Sequence, residues 1–298
     1  MILLWGLAQD GTMHAVRAWL ARLGADVTFV SHAAIARTRV VYRSTPAPTY
    51  DLTCDGHSIC LDDVTAAYLR PYDPRDYESP AAGATAPVVH EMMSAWAEHT
   101  PALVINRPWA EATNHSKLYQ AMRIAKAGFA VPESLVTNDR DHARAFAARH
   151  GSLIYKSMSA VRSVVRELDV AALDRIRDMG PVLFQRRVKG ANVRVHVVAE
   201  WTAACAIASD AVDYRYGAAS AEPCTIPDDI AARCVALARD LGLAIAGLDL
   251  IAGDDRRWYC LEVNPNPGFS YYDIAREEPI ARRVAELLMA ERPVNSSR

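Results

Sequence analysis

Long apolar runs, paired cysteines and clustered positive charge are all missing from this sequence, and each absence removes a class of protein. No stretch approaches the roughly 20 apolar residues that a membrane-spanning helix requires. The six cysteines, Cys54, Cys60, Cys205, Cys224, Cys234 and Cys260, are scattered, with no C-x-x-C pair. That spacing gives neither a disulfide frame nor a zinc site; it suits reduced, packed thiols in a cytoplasmic protein. A formal net charge of -2 with no basic run argues against a nucleic-acid partner, because neutralising phosphates takes clustered Lys and Arg. Loops of the G-x-x-x-x-G-K-[ST] and G-x-G-x-x-G kinds are absent too. Lysine itself is scarce: Lys117, Lys126, Lys156 and Lys189 are the only ones among 33 basic residues.

What is present is an ordinary globular mixture, 51% apolar and 23% charged over 298 residues, enough for two or three packed lobes. Met1 opens directly onto Ile2-Leu3-Leu4-Trp5, which reads as a first buried strand (2–8) rather than a signal peptide. A helix over 12–23 follows, with Val16, Trp19, Leu20 and Leu23 at helical spacing before Gly24, and then a strand at 27–30. This order predicts a parallel α/β start, to which 64–69 adds a strand. Residues 71–87, rich in proline, small residues and charge, read as a loop or boundary. A helix at 85–98, a strand at 103–105 and a helix at 116–127 come next. Short strands at 134–136, 153–156, 161–167 and 182–185, with helices near 139–149 and 170–179, predict a small α+β lobe. Strands at 193–198, 201–208, 244–251 and 258–263, and helices at 228–241 and into Leu288, complete the chain. The expected organisation is a parallel α/β domain over 1–105, a central lobe over 106–185 and a C-terminal lobe over 186–298.

The strongest local signal is Leu261-Glu262-Val263-Asn264-Pro265-Asn266-Pro267-Gly268, preceded by Asp249 in Gly247-Leu248-Asp249-Leu250. On a strand Glu262 and Asn264 point to one face, and Asp249 on an antiparallel neighbour completes a set of three oxygen ligands. Such a set suits Mg²⁺, which takes few protein ligands and fills its octahedron with waters and phosphate oxygens. Phosphates in turn call for cations. Lys156 ends the apolar strand Leu153-Ile154-Tyr155, and Lys117 opens a helix after Asn114 and Ser116, where a cap and the positive helix end favour an anion. Lys126 and Lys189 read as solvated surface residues, and His196 as a packed strand histidine.

The ordered set Asn114-x-Ser116-Lys117, Gly128-x-x-Val131-Pro132, Lys156, Gln185-x-x-Val188, Gly190-x-Asn192-x-Arg194, Asp213-Tyr214-Arg215, Asp249 and Glu262-x-Asn264 resembles the ATP-grasp superfamily. It is most similar to the branch of ribosomal-protein glutamate ligases, glutathione synthetase and microviridin-type peptide ligases. The match runs from residue 106 to 288, and the front part resembles the pre-ATP-grasp domain of such ligases. The resemblance implies an ATP-grasp fold, ATP as cosubstrate and Mg²⁺. It places Lys117 and Lys156 on the phosphates, and Gln185, Arg186, Arg187 and Val188 at the hinge that reads adenine. Asn192 falls near the ribose, Arg194 and Arg215 on the γ-phosphate and acyl-phosphate, and Asp249, Glu262 and Asn264 on magnesium. Three positions depart from the pattern. The loop after Lys156 has no glycine (Ser157-Met158-Ser159-Ala160-Val161-Arg162-Ser163), Arg186 replaces a usual acid, and no asparagine follows Arg215 as in the glutamate ligases.

The activity so implied is an ATP-dependent carboxylate–amine or carboxylate–hydroxyl ligase working through an acyl-phosphate on a peptide or amino acid. Phe269-Ser270-Tyr271-Tyr272-Asp273 is expected to line the acceptor side. A kinase on the same fold, and a nucleotide-binding module without catalysis, are the rival classes. The sequence leaves open which carboxylate and nucleophile are used and whether the chain works as a homodimer.

Overall fold

The computed structural model describes residues 1–71, 80–157, 166–168, 173, 180–209, 219–274 and 279–290. The chain divides into two compact units, Met1–Glu111 with Gly242–Ile245 and Asn266–Arg298, and Ala112–Leu241 with Ala246–Pro265.

In the first unit β1 (Ile2–Gly6), α1 (Gly11–Arg22) and β2 (Val27–Ser31) give the expected βαβ start. Strand β1 is buried along its whole length, as a strand covered on both faces of a parallel sheet must be. Asp10 caps α1, its Oδ1 accepting from the Met13 amide at 2.9 Å. Strands β3 (Arg39–Arg43), β4 (Thr49–Cys54) and β5 (His57–Cys60) then form an antiparallel sheet of their own, which the sequence reading did not anticipate. Strand β6 (Ala66–Leu69), helix α2 (Pro80–His99) and strand β7 (Leu103–Ile105) return to the first sheet, whose order is β2-β1-β6-β7 with every pairing parallel. A short helix, α3 (Pro108–Glu111), follows.

Helix α2 corrects the assignment of 71–87 to a loop. It starts at Pro80, a residue suited to the first helical turn, and carries Pro87 on an exposed flank. The helix holds because Ala86, Val89, Met93 and Trp96 recur at helical spacing and are buried in the unit's core.

The second unit opens with α4 (Lys117–Lys126), β8 (Ser134–Thr137), α5 (Arg140–His150), β9 (Leu153–Ser157), β10 (Arg166–Glu167) and β11 (Val182–Arg186). The sheet order is β10-β9-β11-β8, antiparallel throughout, over a small core of Ala143, Leu153, Leu173, Val182 and Phe184. Most of the expected strand at 161–167 and of the helix at 170–179 lies outside the described residues. Strands β12 (Gly190–Val198), β13 (Trp201–Ser209) and β14 (Ala219–Cys224), helix α6 (Asp228–Asp240), and strands β15 (Ile245–Gly253) and β16 (Trp258–Asn264) complete it. These strands form a five-stranded sheet, β14-β13-β12-β15-β16, with α6 packed on β12 and β13. Helices α7 (Ser270–Ile274) and α8 (Pro279–Met289) belong to the first unit and pack against α1. All six cysteines are free. Among the described residues no helix is long and apolar enough to cross a membrane.

Three rings meet in the first unit's core: Trp5 and His32 have centroids 4.3 Å apart, Trp5 and His90 4.9 Å, and the two histidines 5.2 Å. Burial, reinforced by the charge of His90, lowers the His32 pKa to about 3. Above pH ~6.5 His32 is neutral in both folded and unfolded chains and costs nothing. As pH falls below that value the unfolded chain takes up a proton that the folded chain refuses. Urea unfolding at pH 5 is therefore expected to show about 2 kcal/mol less stability from this residue than at pH 7. In His32→Leu that part of the pH dependence disappears; an unchanged pH slope would overturn the assignment.

Candidate active site

Strand register brings the three expected magnesium ligands together. Asp249 on β15 stands directly opposite Glu262 on β16, and Gly247 opposite Asn264. Glu262 and Asn264 are two residues apart, so both share a sheet face with Asp249, each half-buried. The pairing then slips by one residue: Leu250 faces Cys260, leaving Leu261 as the extra residue of a β-bulge. The slip turns Cys260 into the core, fully buried, while Glu262 keeps the face of Asp249. Among the described residues no group of three His, Cys, Asp or Glu side chains is placed to hold a metal. Two carboxylates and an amide oxygen on one face are a sparse, hard-oxygen set, and that fits Mg²⁺ carrying nucleotide phosphates.

Arg194 joins the same face. Its Nη1 donates to Asp249 Oδ1 at 2.7 Å, and the residue is 5% exposed. Each charge holds the other's rotamer and offsets part of its desolvation, and removing either partner strands the other. Asn192, two residues before Arg194 on β12, lies on the same face and is half-buried. His196 is wholly buried, as a packed strand histidine should be.

A cavity in this unit gathers further predicted residues from separate elements. Lys117 from the first turn of α4, Lys156 from β9, Gln185 from β11 and Glu262 from β16 all line it, with Ile124, Val131, Leu183 and Leu261 as apolar wall. Ser116 caps α4, its hydroxyl accepting from the Tyr119 amide at 3.3 Å, which fixes where the helix and Lys117 begin. Gln185 is buried and donates to Ser134 Oγ at 3.0 Å. Lys126 and Lys189 are exposed, as expected.

At the expected hinge the side chains of Arg186 and Arg187 are engaged elsewhere. Arg186 pairs with Glu133 and donates to Tyr259 Oη at 3.1 Å, and Arg187 pairs with Glu167. Their backbone amides donate to Glu133 and Ser152 carbonyls at 2.9 and 3.0 Å. Strand β11 is interior to its sheet, so a ligand meets its backbone only past the strand end, from Arg187 to Val188. Arg215 and the glycine-free stretch 158–163 lie outside the described residues.

Of the run after the metal motif, Phe269 is fully buried, and Asp273 accepts from the Ile280 and Ala281 amides, both at 2.9 Å, so it caps α8. Tyr271 is exposed and Ser270 and Tyr272 are half-buried, with the two tyrosine ring centroids 5.3 Å apart.

Sequence reasoning missed Gln120 on α4, 4% exposed, whose amide bonds the main chain of Val263 between Glu262 and Asn264. It also missed a polar cluster in the first unit. There Arg70, at the end of β6, bonds Asp10 at 3.1 Å, Tyr68 at 3.4 Å, the Asn266 side chain and the Pro267 carbonyl at 3.2 Å. Burial pushes the nearby Glu111 carboxyl up to about 8 despite the charge of Arg70.

A four-stranded antiparallel sheet and a five-stranded sheet in one unit, with two lysines, a buried glutamine and Glu262 converging on a cavity, together with a parallel α/β unit, match the ATP-grasp fold, and the chain is an ATP-dependent ligase. No protein-family model and no curated protein matches it. Solved structures do. ATP-grasp ligase PsnB, complexed with a phosphomimetic variant of its minimal precursor, Mg and ADP, is 28% identical, with TM-score 0.81 over 97% of either chain. Macrocyclase MdnC from Microcystis aeruginosa MRC, bound with precursor peptide MdnA, superposes with TM-score 0.83 at 19% identity, covering 98% of this chain and all of that one. VanG D-Ala:D-Ser ligase from Enterococcus faecalis shares the fold more distantly, with TM-score 0.63 at 12% identity over 97% of this chain and 98% of its own.

Proposed function

We propose that this ligase acts in the cytoplasm on a precursor peptide, joining a carboxylate of the peptide to an amine or hydroxyl through an acyl-phosphate. The observation that carries this reading is the convergence of Lys117, Lys156, Gln185 and Glu262 on one cavity, with Asp249 and Asn264 on the sheet face of Glu262. The likeness to PsnB and MdnC, both solved with precursor peptides, supports the peptide as substrate.

In this reading a carboxylate oxygen attacks the γ-phosphorus of ATP, the bond to the β-phosphate oxygen breaks, and ADP leaves. The amine or hydroxyl then attacks the acyl carbon, the carbon–oxygen bond to phosphate breaks, and the nucleophile's proton passes to solvent. Lys117 and Lys156 hold the phosphates, Val188 and its neighbours meet adenine, and Asn192 stands by the ribose. Arg194 and Arg215 meet the charge that develops on the transferred phosphoryl group, where fixed cations contribute most. Bound by Asp249, Glu262 and Asn264, Mg²⁺ supplies further neutralisation of the phosphates.

The test is the mass of a precursor peptide encoded beside the gene after incubation with ATP and Mg²⁺. A ligase whose nucleophile lies on the same peptide yields a peptide lighter by one water for each bond made, and one that joins a separate amine or alcohol yields a peptide heavier by that molecule less one water, with one ADP and one phosphate released per bond. A peptide heavier by a phosphoryl group would make the enzyme a kinase and overturn the proposal.

A further inference from the structure

We infer that Gln120 is a positioning residue that holds the magnesium-binding strand in register with the helix carrying Lys117; the inference rests on the metal assignment proposed above. Strand β16 is an edge strand, with β15 on one side only. Its outer edge is covered in two places. Near the hairpin end, Ala130 bridges to Tyr259, with the Ala130 amide donating to Trp258 O at 2.9 Å and the Cys260 amide to Ala130 O at 3.1 Å. At the far end the partner is the amide side chain of Gln120. Its Nε2 donates to the Val263 carbonyl at 2.7 Å and its Oε1 accepts from the Val263 amide at 2.9 Å, the pair of bonds a neighbouring strand would make. Gln120 is nearly sealed from solvent, so both bonds form where water competes little.

Val263 lies between Glu262 and Asn264, and Gln120 lies three residues, about one turn, after Lys117 on α4. One helix thus delivers a phosphate-directed lysine from its first turn and pins the carboxylate strand from its second. Asn114 Oδ1, 3.4 Å from Gln120 Nε2, braces the amide from the segment before the helix. Without the clamp, the end of β16 loses its two main-chain bonds to α4, and with them the direct tie between the helix of Lys117 and the strand of Glu262 and Asn264.

The test is Mg²⁺-dependent ADP binding by the full chain, followed by calorimetry in the wild type, Gln120→Met and Gln120→Glu. Gln120→Met matches the length and loses both bonds. It is expected to raise the Mg²⁺ concentration needed for half-maximal enhancement of ADP binding by roughly 10-fold, the lower end of what groups that orient metal ligands contribute, with a smaller change in metal-free ADP binding, since Gln120 also lines the cavity. Gln120→Glu keeps the length and one acceptor bond and is expected to fall between the two; it carries the test alone if Gln120→Met does not fold. An unchanged Mg²⁺ midpoint in these variants overturns the inference. So does an equal loss of metal-free and metal-dependent binding, which marks a residue that merely supports the fold. Wild-type ADP binding indifferent to Mg²⁺ would instead locate the failure in the metal assignment itself, and the inference would fall with it.

Discussion

Glu262→Gln is expected to lower Mg²⁺-dependent ADP formation by about 10³-fold, roughly 4 kcal/mol of transition-state stabilisation, while leaving the fold intact. Glutamine keeps the volume and one oxygen but removes the charge, so the site loses half of its carboxylate complement without a cavity. Asp249→Asn is the less clean experiment. Asp249 also neutralises the buried Arg194, and deleting one partner of such a pair costs about 3–5 kcal/mol of stability on its own account. Loss of activity there would mix catalysis with folding. Rates measured beside a thermal melt separate the two cases: Glu262→Gln should melt with the wild type, and Asp249→Asn well below it. Glu262→Gln within tenfold of wild-type turnover at saturating Mg²⁺ would remove Glu262 from the metal site.

The largest expected effect on stability belongs to Gly190→Ala. Gly190 has φ +150°, and a Cβ built there would lie 2.2 Å from the Ala252 carbonyl oxygen and 2.8 Å from its carbon. Both obstacles are backbone of β15, the strand that carries Asp249, so relief requires the strands to part. Strain of about 1–3 kcal/mol from the dihedral and a similar amount from overpacking sum to roughly 2–6 kcal/mol, a large part of the 5–15 kcal/mol typical of a folded domain. Gly56→Ala is the control. Its φ is +82° but its Cβ meets nothing within 4 Å, so only the dihedral penalty of about 1 kcal/mol applies. Urea unfolding of both variants is the measurement, and equal losses would show that close approach of the strands does not fix Gly190.

The parallel α/β start and the hairpin that sets Asp249 opposite Glu262 were legible in the sequence for the same reason. Unbroken apolar strands and carboxylates placed on them are local patterns, and the register between Asp249 and Glu262 follows from the hairpin that joins them. The sheet of β3, β4 and β5 was missed although it carries a signal: Asp55-Gly56, with φ 47° and 82°, is the two-residue turn that an antiparallel hairpin prefers. Helix α2 was read from 85 onward, where Val89, Met93 and Trp96 keep helical spacing, and only its first residues, 80–84, were taken for loop, because proline and small residues weigh against a helix locally. Gln120 was invisible for a different reason. It bonds the main chain of a residue 143 positions away, and main-chain partners leave no side-chain motif to read. Arg194 was picked out by resemblance as a phosphate ligand, while its bond to Asp249 needed coordinates, since two strands from distant segments supply the pair.

The bulge on β16 also sets a parity. A regular strand assigns neighbouring residues to opposite faces, yet Cys260, Leu261 and Glu262 in succession all line the cavity, so an apolar surface and a carboxylate stand one residue apart. Excising Leu261 would leave Glu262 opposite Asp249 and remove only the apolar neighbour. The position of that one surplus residue, more than the length of the strand, decides what kind of surface accompanies the paired carboxylates of Asp249 and Glu262.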